Sequence, residues 1–287
     1  MPSQTTQIIT YFTRKDWPSG VFQFEDILAE AVESALSLPG IDRDRYTEAN
    51  IDRHWNDVKK LLERDPKKGL CPLFLIKDEY SKRVSSFLEE ETSLIPTKKR
   101  LLLKGRSAFL RKIDGFSYRK YEALGCLVSN LLGADNILLT PPKNEAGIDF
   151  IATIEFGHNA HYLFGINGPL RLIGQCKKYA TPVQVDSIKE FNSTLQDVYH
   201  LTQKVVRFIP AWFSTAKGPI IGWFISHSGF QKGAIDRAKN FGIVLSDSRD
   251  LAEIIAGSRK FYSLEPIDKR LLHLNEKIAS ILQSREI

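Results

Sequence analysis

The sequence predicts an α/β domain built on a mixed sheet, preceded by a small, mainly helical N-terminal domain. Three observations carry this reading. Apolar residues recur at helical spacing through much of the first hundred positions. After Gly115 the texture changes to helices alternating with short apolar strands. One of those strands, Ile220 to Ser226, is apolar almost without interruption, as a strand buried on both faces must be.

In the N-terminal part, Phe24 to Leu38 has helical apolar spacing and stops at Pro39-Gly40. A second helix is expected after Thr47 as its cap, with Ile51, Trp55, Val58, Leu61 and Leu62 on one face, ending before Asp65-Pro66. A third is expected at Asp78 to Leu88 through Tyr80, Val84, Phe87 and Leu88. In the second part, Tyr118 to Leu132 reads as a helix burying Tyr121, Leu124, Leu127, Val128, Leu131 and Leu132. Strands follow at Asn136 to Thr140, Ile148 to Ile154 and Leu170 to Lys177, the last two separated by a hairpin region containing Gly and Asn. A helix from Val185 to about His200 comes next, then the strand at Ile220. A helix at Gln231 to Asn240, a strand at Ile243 to Ser246 and a helix at Ser248 to Ala256 complete the domain. The tail, Leu264 to Leu282, is a further helix with Leu271, Leu274, Ile278, Ile281 and Leu282 apolar. Packing on its own domain is the default reading, and a dimer contact the sharper alternative. The expected organisation is an accessory domain over 1–95, a basic linker over 96–115, the α/β domain over 116–260 and a C-terminal helix over 261–287.

Composition narrows the class. Apolar residues make up 43% and charged residues 26%, which places the chain among folded globular proteins rather than disordered ones. Its longest apolar runs fall far short of the ~18 residues of a membrane helix. The N-terminus lacks the apolar core of a secretory signal, so a cytoplasmic protein with no membrane association is expected. Three cysteines, Cys71, Cys126 and Cys176, are odd in number and lack zinc-like pairing, and read as buried thiols.

Charge is uneven. Lys98 to Lys120 holds Lys98, Lys99, Arg100, Lys104, Arg106, Arg111, Lys112, Arg119 and Lys120 against Asp114 alone, a segment charge of +8 in a chain of +6. The remainder therefore carries −2. With Phe109, Phe116 and Tyr118 interleaved, the segment suits a phosphate backbone, because Lys and Arg displace condensed counterions. A solvated, solubilising linker is the other reading.

The chemistry-bearing residues lie where two strands meet. Asp149 opens the strand Phe150 to Ile154, an acid at the entry of an otherwise buried element, where an uncompensated charge is costly. The next strand ends in Gln175-Cys176-Lys177. Alternation sends Gln175 and Lys177 to one face and Cys176 to the other, so an amide oxygen and an ammonium stand side by side as if for a ligand. Phosphodiester hydrolysis needs such convergence, since Mg²⁺ in an oxygen-rich site neutralises the phosphate.

Taken in order, the blocks Tyr121-Glu122, Glu145-Ala146-Gly147-Ile148-Asp149, Gln175-Cys176-Lys177-Lys178-Tyr179, Phe224 to Phe230 and Gly242-Ile243-Val244-Leu245 resemble the Mrr-like restriction endonuclease family of the PD-(D/E)XK nuclease fold. The likeness spans about Phe116 to Ile255. It implies that Asp149 ligates a metal with the Gln175 side-chain oxygen and the Cys176 backbone carbonyl, while Lys177 positions the attacking water and offsets charge on the phosphate. By the same likeness Glu122 aims at the site from the preceding helix, a solvent-facing carboxylate being the equal alternative. Two departures stand out: Glu145-Ala146 where Asp-Gly is common, and Gln175 where much of the fold has Glu. The second leaves one formal charge fewer at the metal unless Glu122 or Glu145 supplies it.

Ser228 is expected to cap a helix beginning near Gly229, leaving backbone N–H groups for a phosphate oxygen, with Lys178 and Lys232 flanking the groove and Arg119 and Lys120 also on DNA. His227 is read as a loop residue rather than a proton donor. His158 and His161 lack a third ligand and are not read as a metal site. Walker, dinucleotide-binding and nucleophile-elbow motifs are absent from the sequence, which demotes those chemistries. The resemblance implies a Mg²⁺-dependent endonuclease, with Mn²⁺ as substitute, cutting double-stranded DNA in restriction or antiphage defence. A homodimer and a defence partner engaged through the N-terminal domain are compatible with it. The alternatives are a DNA-binding or assembly module without cleavage, and an effector nuclease triggered through that domain.

Overall fold

The structure, a computed structural model, describes residues 3–18, 20–67, 70–72, 74–86, 105–142, 146–155 and 168–284. They divide into two compact units, one formed by the chain up to Arg111 with Ala256–Ser263, the other by Lys112–Ile255 with the tail from Leu264.

The first unit packs helices α1 (Gln4–Arg14), α2 (Phe24–Leu36) and α3 (Gly40–Lys67) with strands β1 (Val21–Gln23), β2 (Phe74–Asp78) and β3 (Arg83–Ser86). The strands form an antiparallel sheet of order β1-β3-β2. Its core is aromatic: Phe12, Trp17, Phe24, Trp55 and Phe74 are buried with Ile27, Leu28, Val58 and Val84, and Trp17 stacks on Phe74 at 4.4 Å. Two expectations are corrected here. The helix expected at Asp78 to Leu88 is not formed over its described residues, Asp78 to Ser86. Asp78 ends β2 and its carboxylate accepts from the N–H of Tyr80 (2.9 Å) and the hydroxyl of Ser81 (2.6 Å), a side-chain turn that reverses the chain into β3. Tyr80, counted as a core position of that helix, is 99% exposed at the tip; Phe87 and Leu88 lie outside the described residues. Nor does Thr47 cap the second helix, because α3 starts at Gly40 and Thr47 is buried within it.

Part of the segment read as a linker is also helical. Helix α4 (Arg106–Asp114) buries Phe109, Leu110 and Ile113 at i, i+1 and i+4, so the stretch has a core face beneath its charge. Phe109 and Phe116 are core side chains and not surface aromatics, whereas Tyr118 is exposed. Lys98, Lys99, Arg100 and Lys104 lie outside the described residues.

The second unit is a five-stranded mixed sheet flanked by helices. After α5 (Tyr118–Leu131) come β4 (Ala134–Leu139), β5 (Phe150–Ile154) and β6 (Leu170–Lys177), then α6 (Val185–Tyr199), β7 (Ile220–Ser226), α7 (Lys232–Phe241), β8 (Val244–Asp247), α8 (Ser248–Gly257) and the tail helix α9 (Ile267–Gln283). Strand order is β4-β5-β6-β7-β8. The β4–β5 and β5–β6 pairs are antiparallel, and β6–β7 and β7–β8 are parallel. Parallel strands need a crossover, which α6 supplies, burying Ile188, Phe191, Leu195 and Val198 against Ile151, Ile173 and Phe224 of the sheet. Helix α5 covers the sheet on the side of Phe150 and is buried on most of its circumference, Tyr121 and Leu124 included.

Phe150 fixes the spacing of this layer. A methyl group added at Gly174, its cross-strand partner, would lie 2.0 Å from the Phe150 ring, and one added at Gly125 of α5 would lie 2.4 Å from it. The ring is thus wedged between a helix glycine and a strand glycine, and α5 and β6 close on it from opposite sides.

Candidate active site

Asp149 sits one residue ahead of β5, tied into the sheet by its backbone. Its N–H donates to the Gly174 carbonyl and its own carbonyl accepts from the Thr140 N–H, both at 2.9 Å. Since Phe150 pairs with Gly174, extending the register by one residue sets Asp149 opposite Gln175. The carboxylate Oδ2 accepts the Cys176 N–H at 2.6 Å. Burial pushes the Asp149 carboxyl up to about 6, with Glu122 pushing in the same direction and the Cys176 N–H, Lys177 and Arg119 opposing. Glu122, Lys177 and Arg119 are therefore all close enough to act on its charge.

Two elements hold these neighbours: α5 carries Arg119 and Glu122, and β6 carries Gln175 and Lys177. Glu122 stands one turn before Gly125 on α5, and Arg119, a turn earlier still, grips it: Nη1 lies 2.5 Å from the Glu122 carboxylate while Nη2 donates to the Thr140 carbonyl at 2.7 Å. Thr140 in turn gives its hydroxyl to the carbonyls of Ile148 and Asp149. Gln175 lies beside Gly147, whose φ of +70° suits glycine; a methyl there would come within 3.3 Å of Gln175 Nε2. The Lys177 ammonium lies over the ring of Tyr179, 5.8 Å from its centroid. Burial pushes the Cys176 thiol well up, so its sulfur stays neutral and its backbone carbonyl is the oxygen it can offer.

The donor set fits a hard divalent cation. Among the described residues Asp149 has no Lys or Arg at ion-pair distance, so its buried charge is compensated by one N–H and by longer-range attraction. Oxygens from Asp149, Gln175 and the Cys176 backbone suit Mg²⁺, which takes few protein ligands and keeps several waters. No group of three or more His, Cys, Asp and Glu side chains with metal-site geometry occurs among the described residues. An ion bound here would be held by an amide and a carbonyl beside Asp149, in place of further carboxylates. Glu145, the other acid of the motif, and the pair His158 and His161 lie outside the described residues.

The remaining positions fall into two sets. Lys120 and Lys232 are exposed. Lys178 and Ser228 are engaged inside the protein: the Lys178 ammonium donates to the Asp114 carbonyl at 2.9 Å and the Ser228 hydroxyl to the Tyr179 carbonyl at 2.6 Å. Ser228 does not cap a helix. Gly229 and Gln231 spend backbone groups on Val183, so α7 starts later, with Gln231 as its N-cap residue. His227 is more than a loop residue, since its Nε2 lies 2.8 Å from the Asp114 carboxylate. Asp114, seen in the sequence as the lone acid of a basic stretch, and Thr140 carry no sequence signal of their own.

Among family models, one described as a restriction endonuclease matches residues 113–255. Among solved structures the chain is similar to the MspJI restriction endonuclease in complex with a 27-mer oligonucleotide, at 18% identity and a TM-score of 0.38 over 63% of this chain and 36% of that one. It is also similar to AspBHI, a DNA modification-dependent restriction endonuclease, at 17% identity and a TM-score of 0.40 over 67% of this chain and 45% of that one. The chain thus spans less than half the length of either. A search of curated proteins finds no match. The matched segment contains every element that brings Glu122, Asp149, Gln175 and Lys177 together, and residues 113–255 of this chain belong to the Mrr-like restriction endonuclease family.

Proposed function

We propose that the chain is a Mg²⁺-dependent endonuclease acting on double-stranded DNA, serving restriction or antiphage defence, with Mn²⁺ able to substitute. The observation that carries this reading is the register that sets the buried Asp149 carboxylate opposite Gln175, with Lys177 two residues further along the same strand. Asp149, the Gln175 side-chain oxygen and the Cys176 carbonyl would hold the ion, with Glu122 a further carboxylate close enough to act on Asp149. Bound there, Mg²⁺ supplies positive charge for the scissile phosphate. Lys177 orients the attacking water and offsets charge as the phosphate becomes pentacovalent. Arg119 keeps Glu122 turned toward this centre, and Lys120 and Lys232 meet backbone phosphates. The N-terminal unit recognises sequence, modification or a partner. Because one site cuts one strand at a time, we assign double-strand cleavage to a homodimer.

The test is plasmid cleavage in Mg²⁺ by the wild type beside Asp149→Ala, on methylated and unmethylated DNA. Metal-dependent cutting by the wild type alone is expected. Equal nicking by both proteins identifies a contaminant, and no cutting of any substrate points to a binding module or to an effector awaiting its trigger.

A further inference from the structure

The turn that follows the catalytic strand is held at three consecutive residues by groups from outside it. The Lys177 carbonyl accepts the His227 N–H at 2.9 Å. The Lys178 ammonium sits on the carbonyl of Asp114, the last residue of α4, where helix carbonyls have no partner within the helix and attract cations. The Tyr179 carbonyl accepts the Ser228 hydroxyl at 2.6 Å. These holding groups are themselves linked: His227 Nε2 meets the Asp114 carboxylate at 2.8 Å, and His227 Nδ1 lies 3.3 Å from Ser228 Oγ. A carboxylate only accepts, so Nε2 is the donor toward Asp114, while Nδ1 lies against the oxygen of Ser228, whose one hydroxyl proton is spent on Tyr179. The imidazole thus bridges two oxygens, one at the end of α4 and one after β7. Its ring packs edge-on against the buried Tyr121 at 6.0 Å, which fixes its plane.

The consequence falls on Lys177. Lysine is a flexible point charge, and nothing in its own stem sets where the ammonium stops. Here that ammonium rests on the Tyr179 ring, and the Tyr179 backbone is pinned by Ser228. We propose that Asp114, His227 and Ser228 form a clamp that positions Lys177 for the reaction, acting through the backbone of 177–179 and the ring of Tyr179. These are positioning residues that touch no reacting atom. The inference rests on the nuclease reading for the role of Lys177, though the clamp itself is a matter of this chain's geometry.

Two measurements on the full chain test it, with Ser228→Ala as the gentle variant and His227→Gln as the second. The first is the single-turnover rate at saturating DNA and Mg²⁺. A displaced ammonium should lower it by about ten- to a hundredfold, since shifts near 1 Å can cost that much, with DNA affinity and thermal midpoint close to wild type. The second needs no cleavage. Lysines are reductively methylated with ¹³C, and the Lys177 resonance is identified by its loss in Lys177→Arg. In the wild type the Tyr179 ring current should displace this resonance, and Tyr179→Leu marks its position without the ring. Both clamp variants should move it toward the Tyr179→Leu position. An unmoved resonance overturns the clamp, and a moved resonance with an unchanged rate overturns its part in the reaction. If the wild type itself cuts nothing, the nuclease reading has failed and the resonance still decides whether the clamp exists.

Discussion

Asp149 is a carboxylate whose environment works against its charge. Its carboxyl stands at about 6 in the folded chain against an ordinary 3.8, because desolvation outweighs the Cys176 N–H. The folded state therefore binds its proton more tightly than the unfolded state does, and stability contributed here falls as pH rises from about 4 to about 6. Above that window the buried charge costs about 3 kcal/mol, from roughly two units at 1.36 kcal/mol each. Asp149→Asn should thus raise stability by up to about 3 kcal/mol at pH 8 and leave it unchanged near pH 3.5, as read by urea unfolding without metal. The same sign governs the ion. Protons compete for the carboxylate below about 6, so Mn²⁺ affinity followed by electron paramagnetic resonance should weaken as pH falls through that value. A flat profile from pH 5 to 8 would remove Asp149 from the proposed metal site. Lys177→Ala tests the neighbouring role, with an expected loss of roughly 10²–10⁴ in rate at little cost in DNA affinity. These residues were legible in the sequence because an acid before one strand and an amide two positions from an amine at the end of the next are local patterns. Asp114 was not, because its partner His227 lies 113 residues away and nothing in the stretch around it marks the pairing.

At the scale of elements, the site depends on how close α5 comes to the sheet, and the Phe150 ring sets that distance. Glu122 approaches from the helix, one turn from Gly125, while Asp149 and Gln175 adjoin Phe150 and Gly174. Gly174→Ala would place a methyl 2.0 Å from the ring, which the packed layer can absorb only by shifting Phe150 or α5. The expected loss is about 1–3 kcal/mol or more, typical of overpacking a filled core. Activity should fall further than stability explains, because Asp149 and Glu122 move apart. A Gly174→Ala protein with wild-type unfolding midpoint and full cleavage would refute the wedge. Strands and helices of this unit followed closely from apolar period, β6 and β7 to the residue, since a buried strand and a one-sided helix leave different patterns. The failures came where side-chain turn chemistry outweighed periodicity. Tyr80 and Val84 are spaced like a helical pair, but the Asp78 carboxylate closes a turn between them. Likewise a Ser before an apolar run reads as a cap until Val183 claims the backbone that the cap would need.

For the molecule as a whole, the net charge of +6 favours a polyanion, but cations already spent within the fold release no counterions on binding. Arg119 is committed to Glu122, Lys178 to Asp114 and Arg111 to Asp16. Arg111 and Arg119 of the basic segment are therefore paired within the fold, and under the proposed function the exposed Lys120 and Lys232 are the expected phosphate contacts. Salt dependence distinguishes the two kinds of cation. In log–log form the slope of binding constant against salt is about −0.9 per phosphate neutralised on duplex DNA, so a lost contact makes it shallower by about 1. Measured by anisotropy in Ca²⁺ on the uncut duplex, Lys120→Ala and Lys232→Ala should each reduce the slope by that amount and weaken binding equally on unrelated sequences. Lys189→Ala removes the same charge from a surface pair with Asp186 and should leave the slope unchanged. If all three substitutions lower it alike, the protein responds to net charge alone, and neither lysine has a place on the DNA.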